Sequence, residues 1–124
     1  MIPAWIYNSG KPPEKITRLV SQIDLIPTLF GILNWNYQSE FYGKDIYKMK
    51  EDEDRALLGN YRTLGFMRKS NFIILNDRKK CYEWNFKENN PEYLEELPTV
   101  NALDRNKIIS YYQTASYRYK YGKM

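Results

Sequence analysis

The spacing of apolar and polar positions changes three times along the chain. Ile2-Pro-Ala-Trp-Ile-Tyr7 is an apolar run without alternation. Such a run suits a strand buried on both faces, as in a parallel sheet. Pro3 restricts it to a strand's first residues or to an edge, and Asn8-Ser-Gly-Lys-Pro-Pro13 closes it as a turn. The second stretch, Arg18 to Leu33, places Leu25, Ile26, Leu29, Phe30 and Leu33 on one helical face. Ser21 and Asp24 form an S-x-x-D pair with the look of a capping box. A helix capped by Ser21 would carry Pro27 beyond its first turn, where the ring meets the carbonyl of Ile23. With Asp24 as cap, Pro27 falls among the positions whose amides are unpaired anyway. The spacing therefore predicts a helix over Leu25–Leu33 capped by Asp24, and at about nine residues it must pack on something larger.

The third pattern starts at Arg55. Ala56–Tyr61, Leu64–Arg68, Phe72–Leu75 and Lys80–Phe86 are four strand candidates, with separators short enough for hairpins. The last alternates, with Tyr82, Trp84 and Phe86 on one face and Cys81, Glu83 and Asn85 on the other, as in an antiparallel sheet with one packed face. Gly59 and Gly65 suggest bulges or close approaches. Lys87 to Pro98, polar and containing Pro91, reads as a loop. Leu103 to about Tyr121 reads as a helix, with Ile108, Tyr111, Tyr112, Ala115 and Tyr119 in one stripe and Gly122 as the stop.

Composition sharpens this picture in one respect. The 124 residues include three Trp, twelve Tyr and five Phe, enough for a real core, and one cysteine, Cys81, which excludes a disulfide framework. There is no histidine, the commonest general base and metal ligand, so much of hydrolytic and metal chemistry is outside this chain's own means. The net charge of +4 is spread among interleaved signs and reads as a solvated surface, with no nucleic-acid partner expected.

Each candidate constellation has a plainer reading. The Tyr111–Tyr121 cluster could stack sugars or bases, but Tyr at helical spacing is ordinarily half-buried packing. Glu51-Asp-Glu-Asp54 lacks the glycine and ligand spacing of a calcium loop and reads as a solvated acidic segment. Asp24 as a catalytic carboxylate competes with Asp24 as a cap. Asp45 and Asp104 have no catalytic neighbour at a telling spacing, and no phosphate loop or nucleophile elbow occurs. No catalytic, cofactor-binding or metal-ligating residue is assigned to this chain.

Val20-Ser-Gln-Ile-Asp-Leu-Ile-Pro-Thr-Leu-Phe-Gly-Ile-Leu33 resembles the S-x-x-D-L-x-P-T-L-L-x-L-L stretch of sulfatases. The resemblance extends to the branch of lipoteichoic acid synthases and phosphoglycerol transferases in the alkaline phosphatase superfamily. Four further pieces agree in order. Ile2 to Gly10 resembles that branch's I-P-x-x-I-Y-x-P-G strand and turn, and Phe41-Tyr-Gly-Lys-Asp-Ile46 its F-x-G-R-D-L. Ala56 to Phe86 resembles its A-x-x-x-N-Y-x-x-L-G-Y sheet region, and Ile109 to Tyr117 its A-x-Y-Y-Q-T-A-S-Y helix. The chain departs from the pattern at Asn8-Ser9 and at Asn34-Trp35, where a Gly often ends the helix.

The resemblance implies an α+β chain forming the C-terminal subdomain of an alkaline-phosphatase-like enzyme. About four antiparallel strands would carry a packed terminal helix (48–124), preceded by the last strand and helix of a truncated main sheet (1–47). It implies that the nucleophile and metal ligands lie upstream, so the chain alone is catalytically silent. The parent would be a bacterial sulfatase or phosphoglycerol transferase, using Mn, Mg, Ca or Zn and anchored in the inner membrane with its catalytic domain in the periplasm. Expected partners are the missing N-terminal catalytic domain, or a second copy paired through the exposed apolar strand and helix. The competing expectation is a stand-alone glycan- or protein-binding module using a Tyr/Trp-rich surface.

Overall fold

A computed structural model describes residues 3–7, 10–40, 42–87 and 90–123. Five antiparallel strands form one meander: β1 (Ala56–Gly59), β2 (Thr63–Arg68), β3 (Asn71–Asn76), β4 (Cys81–Lys87) and β5 (Asn90–Glu96), in spatial order β1-β2-β3-β4-β5. Two helices flank it in sequence, α1 (Leu25–Ile32) before and α2 (Ala102–Lys120) after. The α+β class and the sheet-plus-helix plan hold, with one strand more than expected.

The turns explain the register. Arg68 pairs Asn71 across a two-residue link in which Lys69 takes a φ of 51°, and Lys79 takes 61° before β4. Positive φ at both links is the geometry that matches the twist of the flanking strands. The Asn60 side chain accepts the amides of Arg62 and Thr63, and Asn76 accepts those of Arg78 and Lys80, so both corners have side-chain acceptors for their own amides. Pairing is unbroken at Gly59 and Gly65; the irregularity lies at Phe86/Lys87 against β5. Gly65 is instead a close approach, because the Phe72 ring occupies the space a Cβ there would need.

β5 lies inside the segment expected to be a loop. Polarity and Pro91 argued against a strand, but β5 is an edge, where a missing amide and polar side chains are tolerated. The carboxylates of Glu95 and Glu96 also discourage pairing with another chain.

The core sits on the face of the sheet that carries Cys81 and Glu83. Phe66, Ile73, Leu75 and Ile108 are buried together, with Leu57, Leu64, Cys81, Val100, Ile109 and Tyr111 packed around them. The register puts Cys81 opposite Leu75 and Glu83 opposite Ile73, so these face α2 while Phe72, Tyr82 and Trp84 face outward. Mutual ring contacts partly shield that outer face: Tyr82 and Trp84 are 5.9 Å apart and Phe72 and Trp84 6.5 Å. Burial pushes the Cys81 thiol pKa up, opposed by Arg105, as befits a small core hydrophobe.

Glu83 is 1% exposed, yet it belongs here. Its carboxylate accepts the Asn71 side-chain amide and the Asn101 backbone amide, both at 2.6 Å. Asn101 in turn caps α2, its Oδ1 accepting from Leu103 and Asp104. A buried acceptor on β4 thus fixes where α2 begins. The helix buries Asp104, Ile108, Tyr111, Ala115 and Arg118 to differing depths, and Gly122 ends it at a φ of 60°. Tyr112 and Tyr119 lie off that stripe, exposed.

The expected strand over Ile2–Tyr7 is not formed. Residues 3–7 carry no secondary structure, with Trp5 91% exposed, and Ile2 lies outside the described residues. No described strand runs alongside to take their hydrogen bonds, and an unpaired strand has no basis in water. α1 keeps its predicted start and ends one residue early, preceded by a 3-10 turn at Gln22–Asp24.

Candidate functional site

Asp24 is heavily constrained. It is 0% exposed, and its two oxygens accept four hydrogen bonds. Arg55 donates through both terminal nitrogens, at 2.7 and 2.9 Å, and the backbone amides of Ser21 and Lys44 donate at 2.8 Å each. Asp24 holds the N-cap position of α1, as expected, but its side chain makes no cap bond to that helix. The 3-10 turn swings the carboxylate back toward Ser21, as in the acidic half of a capping box, and Arg55 captures it. A bidentate guanidinium–carboxylate pair is the strong form of this interaction. Burial works against the charge on Arg55, but its hydrogen bonds to Asp24 and the nearby Tyr111 outweigh it and raise its pKa. With all its acceptor directions taken, Asp24 has nothing left to offer a metal or a substrate proton.

The rest of the S-x-x-D-L-x-P-T pattern is spent on the same junction. The Ser21 hydroxyl bonds both the amide and the carbonyl of Leu57, fastening this segment to the edge of β1. Thr28 donates to the Asp24 carbonyl at 2.6 Å and accepts the Ile46 amide at 3.0 Å. Gly43 lies so close to the Ile23 carbonyl, and Gly31 to the Asp45 carboxylate, that any Cβ would collide. These glycines let the 42–47 segment lie flat against the helix. Arg18 bonds the carbonyls of Ile46, Met49 and Lys50 and pairs with Asp54.

Four of the other carboxylates weighed from sequence are likewise engaged. Within the acidic segment, Asp54 meets Arg18 and Glu53 meets Lys44, the latter pair holding the Glu53 pKa below its ordinary value. Asp104 faces Arg68 at 3.4 Å. Asp45 accepts the Tyr47 amide and lies 3.7 Å from the Lys48 ammonium. Among the described residues no three His, Cys, Asp or Glu side chains converge on a point that could hold a metal. The donor set here does not fit the divalent ion that the family resemblance implies. The tyrosine cluster also departs from expectation. Tyr111 is half-buried against Phe66 and Tyr42, but Tyr112, Tyr117, Tyr119 and Tyr121 are exposed. Arg118 replaces them in the buried stripe, lying 5.1 Å over the Tyr42 ring.

One concave feature was not foreseen. A shallow groove of about 640 Å³ is lined by Trp35, Asn36, Tyr37, Gln38, Ser39 and Lys48. Its geometry starts at the end of α1. Asn34 takes a φ of 53°, its amide bonds the Gly31 carbonyl at 3.1 Å, and the Trp35 amide bonds the Phe30 carbonyl at 3.0 Å. That is a Schellman termination with Asn in the place of the usual Gly, and it brings the residue two past the helix end onto the last helical turn. Trp35 accordingly packs on Phe30 at 5.4 Å, and Tyr37 meets the same ring edge-on at 5.0 Å. Arg118 pins the far end of the loop by bonding the Glu40 carbonyl and pairing with its carboxylate at 3.2 Å. The Asn34-Trp35 departure was the sequence signal for this arrangement. The groove offers ring faces, amides, the Ser39 and Tyr37 hydroxyls and one ammonium, which can bind but hold no activated nucleophile.

No family model matches the chain. Its fold is similar to part of a crystal structure of a protein in the alkaline phosphatase superfamily from Vibrio parahaemolyticus. The TM-score is 0.69 at 21% identity, over 87% of this chain and 27% of that one. The chain thus spans about a quarter of that protein's length.

Proposed function

We propose that this chain is the C-terminal part of a sulfatase-like enzyme of the alkaline phosphatase superfamily. We place it in the branch of lipoteichoic acid synthases and phosphoglycerol transferases. Its role there is structural, bracing a catalytic domain contributed by the rest of the enzyme. The observation that carries this reading is the match of 87% of the chain to only 27% of a superfamily member. The S-x-x-D-L-x-P-T, F-x-G-K-D-I and Y-Y-Q-T-A-S-Y pieces appear in the order that branch uses. The junction agrees with a bracing role, since Asp24, Arg55, Thr28 and the two glycines all serve contact between segments.

In this reading the enzyme's nucleophile and its metal, Mn, Mg, Ca or Zn, belong to the catalytic domain. The metal would make the transferring group a better electrophile. The partner surface on this side would draw on the exposed apolar residues Trp5, Ile6, Leu25, Ile26 and Leu33. A second copy is the alternative occupant. The parent would be held at the bacterial inner membrane with this part on the periplasmic side, and its anchor would lie elsewhere. No described helix is long and apolar enough to cross a membrane.

The test is to assay the 124-residue chain on aryl sulfates and phosphodiesters with each divalent metal, alone and mixed with a catalytic domain of this branch. The chain alone should show no turnover, and adding it should raise the yield of folded, active catalytic domain. Turnover by the chain alone would overturn the reading.

A further inference from the structure

We propose that the end of α2, from Tyr117 to Lys123, docks on an anionic lipid surface. Charge and exposure within this chain carry that reading, independently of the enzyme it belongs to. The interleaving of signs along most of the sequence stops at Asp104. Residues 105–124 hold five Lys and Arg and no Asp or Glu, while residues 1–104 hold 14 cations against 15 carboxylates. The net charge of +4 therefore originates in the last stretch. Arg118 is taken by Glu40. Among the described residues no carboxylate pairs with Arg105, Lys107, Lys120 or Lys123.

The helix uses its apolar stripe on the sheet, where Ile108 is buried and Tyr111 packs on Phe66. A helix that lies along a bilayer needs such a stripe free, so contact falls to the end of α2. From Tyr119 to Lys123 every residue is exposed. Tyr117 and Tyr121 meet there with 4.6 Å between ring centres. The Lys120 ammonium lies 5.6 Å from the Tyr121 ring, and that of Lys123 lies 5.7 Å from the Tyr117 ring. Rings and lysine stems make an apolar body, with hydroxyl and ammonium groups as polar tips. That build suits the boundary between headgroups and acyl chains. Each cation near an anionic membrane strengthens partitioning about fivefold. A single-stranded nucleic acid needs open ring faces and a row of cations, whereas here the ammonium groups lie over the rings. A second copy would set like charge against like.

The test is co-sedimentation of the full chain with vesicles of phosphatidylcholine alone and of phosphatidylcholine mixed equally with phosphatidylserine. An oligothymidylate and a polyglutamate peptide are titrated separately. The chain should sediment with the mixed vesicles and not the neutral ones, and should be released as salt rises. Lys120→Gln and Lys123→Gln should each weaken binding about fivefold. Tyr119→Ser should weaken it severalfold, and Tyr119→Trp, which keeps a ring with a polar edge, should retain it. Lys69→Gln removes the same charge beside the start of α2, where Arg68 faces Asp104, and should change little. Lys120 and Lys123 are exposed, so their variants leave the core untouched. Equal binding to both vesicle types, equal losses from Lys120→Gln and Lys69→Gln, full binding by Tyr119→Ser, or tighter binding to the oligonucleotide or polyglutamate than to the mixed vesicles would each overturn the proposal.

Discussion

Between the sheet and α2 the chain is held by hydrocarbon, with Phe66, Ile73, Leu75 and Ile108 closed over one another. Before residue 55 it is held by ions and hydrogen bonds, with Asp24, Arg18, Thr28 and Ser21 doing the fastening. Ile26 in α1 and Leu33 just past its end are exposed, and among the described residues no strand has a substantial packing contact with α1. The difference matters because the two kinds of attachment fail differently. Apolar burial scales with area and tolerates small losses. A buried ion pair is near neutral when whole, and strongly destabilising once one partner is removed.

The largest effect should therefore come from Asp24→Asn. It leaves the Arg55 guanidinium buried beside a neutral amide and should cost about 3–5 kcal/mol in the attachment of residues 18–47. Urea unfolding followed at the Trp35 and Trp84 indoles would then separate into two transitions, the Trp35 one earlier. Replacing both partners, Asp24→Leu with Arg55→Met, should recover much of that loss, because no unpaired charge remains.

Ile108→Ala should act on the other region. Ile108 is 0% exposed at the centre of the core, and its truncation should cost about 2–5 kcal/mol. Here the loss should appear as a single earlier transition for both indoles, since the sheet underlies every attachment made by the first region. Two transitions from Ile108→Ala would break the distinction.

The smallest effect concerns pH. Lys44, and then the Lys50 amide, hold the Glu53 pKa below that of a free glutamate. Its contribution is thus complete above the ordinary carboxylate range and fades as pH falls through the lowered value. The group is solvent-exposed, so the change should be slight. Comparing the acid limb of the stability curve for the native chain and Glu53→Gln checks it, and the variant should show the shallower slope.

These contrasts also explain what could be read from residues alone. Four strands, their hairpins and both helices were legible because period-2 and period-3.6 patterns are local. β5 was not, because an edge strand needs little apolar character and Pro91 can occupy an edge. Alternation in β4 told which residues share a face but not which face α2 covers. Cys81 and Glu83 face the core because Glu83 is needed to hold Asn101 at the start of α2. Asp24 was singled out and given the wrong partner, since Arg55 lies 31 positions away and nothing local announces it. The groove was visible only as an oddity at Asn34-Trp35. Its meaning depends on a left-handed φ that Asn adopts more readily than other side-chain-bearing residues.

The most direct measurement is native-state hydrogen exchange on the wild-type chain and on Asp24→Asn. If polar fastening and apolar core are separable, the amides of α1 and of Lys44 and Ile46 lose protection in the variant. Those of β2, β3, β4 and α2 keep theirs. Uniform loss across the sheet and α1 together would contradict that separation and make Asp24 a member of one indivisible core.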